Sequence, residues 1–368
     1  MRLYPGRIER YVAGRVVRAL GATLALICAI VLLINFVSLA RDVGSRVQIS
    51  FIKMAALSLM QAPATVLTLS PFAFLFGALA AFIGLNRRSE LTAMRAAGVS
   101  AWRFIAPAAA VAFVSGVLVV TVFTPLAGLL NTQFETQRDM ALSGYLNQKA
   151  KPSWLRQGDA DTQVVIRAQN QERLRGSVRL QGVSLFVYSK DSSGVMRFSR
   201  RIEAAQARLD PGFWRLTKVR ETVPGAGSIQ SESLTIPSNL DPEQAAARFG
   251  SGQSIAFWRL PHAIASGEQA GFSTVDYRIQ LQQLFATPLL FAAMAILAAA
   301  FSLRLMRLGG VAALAGLGVA LGFGFFFLNE VCAALGRAEV ISPILAAWAP
   351  PLLALLSGLT LLCHTEDG

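Results

Sequence analysis

Hydrophobic residues in this chain fall into two blocks with a polar stretch between them. Six apolar runs stand out: Val16–Leu39, Pro63–Leu85, Phe104–Leu130, Leu284–Leu303, Gly309–Leu335 and Ile341–Cys363. Each reaches about the 20 residues that a helix needs to cross the hydrocarbon of a bilayer. The first is too long for a signal-peptide core and no small-residue cleavage site follows it, so it reads as a retained helix. The predicted layout is three spans (1–130), an inserted domain (131–278) and three more spans (279–368).

The link between the second and third runs carries more than a turn would need. From Asn86 to Gly98 it places Leu91 and Met94 on one helical face, with Gly98 as a stop. A surface helix of this kind is well placed to dock another protein. The chain therefore reads as the membrane half of a machine whose motor is a separate subunit.

Residues 131–278 read as β-rich. Val164–Ile166, Val183–Tyr188 and Ser233–Ile236 are dominated by β-branched and aromatic side chains. Turn chemistry separates them at Asp191–Gly194, Asp210–Gly212 and Pro224–Gly227. Short strands at this spacing predict a sandwich or partly open barrel. After them, Asp241-Pro242-Glu243 reads as the start of a short helix, and residues 258–267 as another.

Composition supports the membrane reading. Of 368 residues, 54% are hydrophobic and 15% charged, where a soluble domain carries about 25% charged residues. Orientation follows from basic residues near the runs. Arg2, Arg7, Arg10, Arg15, Arg18, Arg87, Arg88, Arg95, Arg103, Arg304 and Arg307 lie on one side; Arg41, Arg46, Lys53, Arg278 and Arg337 lie on the other. Eleven against five places both termini and the 86–103 link in the cytoplasm, with the inserted domain outside. The net charge of +13 reflects arginines at membrane edges and not a nucleic-acid surface, since no RNA-binding signature is present. Anionic lipid head groups are the natural partner for such residues. Cys28, Cys332 and Cys363 all fall in apolar runs and are expected to be small buried residues, with neither a disulfide nor a zinc site.

Candidate chemistry is sparse. With His262 and His364 as its histidines, the chain offers no His-rich metal site. It has no GxxxxGK[ST] phosphate loop and no GxSxG elbow. Glu330, beside Asn329, is the one acid well inside a span; it is either a functional carboxylate or a solvated group near the outer interface. Glu90 opens the link helix, where the helix dipole favours a negative charge; the other role open to it is an ion pair with a docked partner. Leu91 and Met94 would then be the apolar anchor, with Arg87, Arg88 and Arg95 facing head groups or partner acids. Near the outer end of the first run, Asn35, Arg41, Arg46 and Lys53 could contact lipid phosphates or simply snorkel. The glycines at 309, 310, 316, 318, 322 and 324 allow close helix approach in the fifth run. Pro71, Pro107 and Pro288 permit bends.

A resemblance to a known family rests on several blocks. These are Glu9-Arg10-Tyr11-Val12, the link from Arg88 to Gly98, Phe213-Trp214-Arg215-Leu216, Tyr277-Arg278, and Phe285 to Leu289. Together with the three-plus-three layout they resemble the lipopolysaccharide export permeases of the LptF/LptG family, nearer its LptG branch than its LptF branch. The paralogous LptF-type subunit, or a stand-alone membrane enzyme, remains the alternative.

The resemblance implies an inner-membrane protein of six helices with an inserted periplasmic β-jellyroll-like domain. It implies a non-catalytic permease subunit of an ABC transporter that extracts lipopolysaccharide. The implied partners are an LptF-type permease, an LptB-type ATPase dimer, an LptC-type anchored jellyroll and an LptA-type periplasmic bridge. No cofactor is expected on the chain itself, because ATP is bound by the partner. The family's coupling-helix glutamate falls on Glu90. Val164, Ile166, Leu185 and Val187 would line an apolar groove for acyl chains. The family often carries several lysines near the outer end of the first helix; of Asn35, Arg41 and Asp42 here, Arg41 keeps the charge.

Overall fold

The computed structural model describes residues 6–43, 50–146, 153–158, 162–174, 177–191, 195–225, 227–238, 257–269, 273–305 and 311–366. The chain divides into two compact units. One comprises Met1–Glu135, Ser254–Pro261 and Thr274–Gly368; the other comprises Thr136–Gln253 and His262–Ser273.

The first unit is helical. It contains α1 (Arg7–Val43), α2 (Phe51–Arg87), the short α3 (Glu90–Ala96) and α4 (Ala101–Leu118). A π-helical turn, Val119–Phe123, joins α4 to α5 (Thr124–Leu146). After the inserted domain come α7 (Val275–Leu305), α8 (Val311–Arg337) and α9 (Pro343–Glu366). Six stretches among the described residues are long and apolar enough to cross a membrane. Helices suit that setting because every backbone donor and acceptor is satisfied within the segment.

The expected bends at Pro71, Pro107 and Pro288 fall inside helices. The π turn was not anticipated. Pro125 follows it and has no N–H to return to the preceding turn. Both the backbone N–H and the hydroxyl of Thr124 donate to the carbonyl of Val119, the hydroxyl at 2.9 Å. That wide turn lets the helix continue through the proline, and π turns of this kind recur at functional positions.

The core of the unit joins α1, α2, α4, α7 and α9. Val12, Val16, Phe74, Phe82, Phe104, Phe291 and Leu362 pack in one cluster, with the Phe74 and Phe291 rings stacked at 4.1 Å. Small residues set the spacing. A Cβ on Gly116 would sit 2.5 Å from the Cα of Pro288, so α4 and α7 touch backbone to backbone there. The glycine run of α8 works the same way in part, since Gly318 and Gly322 receive Leu79 and Phe72 of α2. The cysteines depart from expectation: Cys28 and Cys332 are half-buried and Cys363 is exposed, because each lies on a helix face that this chain does not cover.

The second unit is a single antiparallel sheet of six strands in chain order. They are β1 (Ser153–Gly158), β2 (Thr162–Leu174), β3 (Ser177–Lys190), β4 (Met196–Asp210), β5 (Phe213–Thr222) and β6 (Ser228–Pro237). Pairing is interrupted along one line across the sheet: Gln169, Gly182, Ala205, Lys218 and Glu232 are skipped in successive ladders. Gly182 and Lys218 have φ of 59° and 51°. At this crease the buried alternation changes phase. On β3 it runs Val178, Leu180, then Val183, Leu185, Val187; on β4 it runs Ile202, Ala204, then Ala207, Leu209.

Both halves of the sheet thus turn their apolar side inward onto one core around Trp214. The far edges meet through Gln157 of β1, which is 3% exposed. Its Oε1 accepts from Trp214 Nε1 (2.9 Å) and from the Ser238 hydroxyl (2.8 Å), while its Nε2 donates to the carbonyl of Pro237 (3.4 Å). The result is the expected all-β domain, built as a curled sheet whose strands pair in chain order without the crossovers of a jellyroll, and with strands longer than the sequence pattern suggests. A 3₁₀ turn (Phe257–Arg259) and α6 (Leu260–Gln269) follow, matching the predicted second helix. The helix predicted at Asp241 lies outside the described residues.

Candidate functional site

The link between the second and third spans forms the predicted surface helix. Ser89 enters it with φ of 57° and no side-chain cap. Gly98 ends it with φ of 77°. The Gly98 N–H donates to Arg95 and the Val99 N–H to Met94, at 2.9 and 3.0 Å. This is the six-to-one and five-to-two pairing of a Schellman stop, which needs a left-handed residue at the glycine.

The structure turns the expected apolar anchor inward. Leu91 is 1% exposed and belongs to the core of the helical unit, with Met94 packed against the same cluster. A side chain so placed holds α3 onto its own chain and is not offered to a partner. The exposed strip consists of Arg87, Arg88, Ser89, Thr92, Ala93, Ala96, Ala97 and Gly98. Small residues there let another protein's surface come close to the helix backbone.

Glu90 is engaged within the chain. Its Oε2 accepts from the Tyr11 hydroxyl at 2.9 Å, and its Oε1 pairs with Arg15 Nη2 at 3.3 Å. Arg15 Nε in turn donates to the Tyr11 oxygen at 3.1 Å. A second tie lies close by in sequence, where Arg103 of α4 pairs with Glu9 of α1 at 3.3 Å. Glu9 also accepts from the Gly6 N–H at 2.7 Å. The cytoplasm-facing end predicted for α1 is thus bound to α3 and to α4 through two acid–base contacts. Tyr11 and Arg15 were not singled out from sequence. Their signal was a Tyr/Arg pair at i and i+4, one helical face, with Tyr11 inside one of the blocks that carry the family resemblance and Arg15 three residues beyond it.

The proposed head-group residues separate. Arg41 and Lys53 are exposed. Arg46 lies outside the described residues. Asn35 is 6% exposed, in the buried stripe of α1 with Val31 and Leu39, and its Nδ2 has no hydrogen-bond partner among the described residues. In the β unit, Val164, Ile166, Leu185 and Val187 are brought together on the inner face and are at most 6% exposed. Glu330 is exposed on the face of α8 that carries Phe323 and Phe327. Among the described residues no three of His, Cys, Asp and Glu cluster as metal ligands.

Six apolar helices, a surface helix tied to the first of them, and an inserted curled sheet define a multi-pass membrane protein with an inserted β domain. The profile of the lipopolysaccharide export system permeases LptF/LptG matches residues 10–364, and the chain belongs to that family. Among similar proteins, the lipopolysaccharide export system permease protein LptG of Escherichia coli K12 is 24% identical over 359 residues, 94% of each chain. LptG of Haemophilus influenzae is 24% identical over 372 residues, covering 98% of this chain and 99% of that one.

Proposed function

We propose that this chain is an LptG-type permease subunit of an ABC transporter that extracts lipopolysaccharide from the inner membrane and passes it to a periplasmic bridge. Both termini and α3 lie in the cytoplasm and the β domain in the periplasm. An LptB-type ATPase dimer binds and hydrolyses ATP and docks on α3. An LptF-type permease completes the membrane cavity, and LptC- and LptA-type proteins continue the path.

The observation that carries this reading is the attachment of α3. A docking helix transmits force only if it is fixed to the elements it must move. Leu91 anchors α3 in the core, and Glu90 binds it to Tyr11 and Arg15 of α1. Closure of the motor would therefore reach α1 directly. Arg88, Arg95 and Gly98 complete the coupling site, Arg88 as an exposed charge and Gly98 as the stop that keeps the helix short.

Substrate contact follows the same division of labour. Arg41 and Lys53 meet head-group phosphates, with Asn35 and Arg46 adjoining in sequence. Acyl chains enter the β domain against Val164, Ile166, Leu185 and Val187, whose tight packing they displace. The test is affinity co-purification from detergent-solubilised membranes, wild type against Glu90→Ala, followed by ATPase assay. Recovery of an ATPase dimer by wild type, and its loss or uncoupling in Glu90→Ala, is the expected result. A wild-type chain that purifies folded and alone would overturn the reading.

A further inference from the structure

A groove runs between the first turns of α1 and the start of α4, and the functions above do not use it. Its volume is about 740 Å³, with Arg10, Ala13, Trp102, Arg103, Ala106 and Ala110 among its walls. That size falls within the roughly 300–1,000 Å³ of small-molecule sites. From the groove and its charge distribution we infer a binding site for one anionic glycerophospholipid, in the leaflet on the side of the chain termini. The leaflet assignment rests on the orientation proposed above.

The groove is polar at one end and apolar along the rest. Arg10 and Arg103 stand at the end where the two spans leave the membrane, and both are exposed. Glu9 holds Arg103 through Nε, which fixes a guanidinium whose side chain is still 59% exposed. The Glu9 carboxylate lines the same groove and offsets Arg103, so Arg10 supplies the net positive charge at this end. That charge attracts a phosphodiester, and anionic lipids gain about 1 kcal/mol per basic residue near the surface. Trp102, 44% exposed, stands beside them, as tryptophans do at the membrane–water boundary. Below them Ala13, Ala106 and Ala110 leave a trough, with Val111 as a larger apolar wall. From residue 102 to 110 the wall is about 12 Å long at helical rise, enough to seat the upper part of an acyl chain. Pro107 adds an apolar ring and has no N–H for the carbonyl of Arg103. A protein helix laid here would have to bring an acid for Arg10, whereas a phospholipid meets it with its own phosphate and keeps its tails in the hydrocarbon. The bound lipid would brace α1 against α4 beside the Glu9–Arg103 pair.

The test is native mass spectrometry of the full chain in detergent, titrated with phosphatidylglycerol and, separately, with phosphatidylcholine of the same acyl chains. Wild type is expected to hold one phosphatidylglycerol more tightly than phosphatidylcholine. Arg10→Gln should weaken phosphatidylglycerol about fivefold and leave phosphatidylcholine unchanged. Ala110→Phe fills the trough from an exposed position, and should reduce retention of both lipids. Equal binding of the two lipids by wild type, or unchanged adducts in both variants, would mean annular lipid only and would overturn the site. Co-purification of the ATPase is read separately: its failure with lipid selectivity intact would sink the coupling reading alone.

Discussion

At the scale of single residues, Glu90 shows how a position can stand out in sequence while its contacts do not. Its place at the head of a charged link marked it as a coupling residue. The basic group beside it is Arg15 of its own chain, 75 positions away in sequence. Arg15→Gln and Tyr11→Phe should each leave the ATPase bound, because neither residue is on the exposed strip of α3. Both should lower ATP-driven lipopolysaccharide release by about fivefold, the low end of typical coupling between sites. Release measured from proteoliposomes at matched ATP turnover checks this. If either variant loses the motor altogether, the triad serves docking and not transmission.

At the scale of elements, helix contacts depend on where side chains are absent. Gly116 is the clearest case, since the Cα of Pro288 occupies the space its Cβ would take. Gly116→Leu would force α4 and α7 apart, and overpacking of this kind typically costs about 1–3 kcal/mol. A lower midpoint in thermal unfolding of the purified chain is expected, while Gly84→Leu, which meets nothing within 4 Å, should change it little. Equal effects at the two positions would show that helix propensity, and not close approach, is what the glycine supplies. The sheet makes the complementary point. Its crease is legible in β3 once noticed, as the spacing of valines and leucines slips by one at Gly182. A window of four to six residues shows strand but not the slip, which is why the strands were read as short.

At the scale of the whole molecule, the helices are unequally covered. Of the most apolar window of the fourth span, 56% is buried within the chain, against 17% for the first and for the fifth. Leu33 and Phe327 are more than half exposed. Lipid, or the second permease proposed above, would meet those faces. The proposed orientation has its own check. In a background without Cys28, Cys332 and Cys363, Ala96→Cys should react with an impermeant maleimide only after the inner membrane is opened. Gly212→Cys should react in intact spheroplasts. The opposite pattern would invert the topology and with it the docking role of α3.

Much was decided by sequence alone, because hydrophobic length is a local property. Twenty apolar residues must form a helix in a bilayer, and alternating β-branched residues between turns must form strands. The three-plus-three layout, the surface helix with its Gly98 stop and the family all followed from such short-range patterns. Contacts between distant segments required the tertiary structure. The Tyr11–Arg15–Glu90 ties, the inward turn of Leu91, the burial of Asn35 and the Gln157 clasp each join groups that no local pattern brings together. A hydrogen bond or a buried face is settled by which surfaces meet, and chain geometry decides that only after every element has packed.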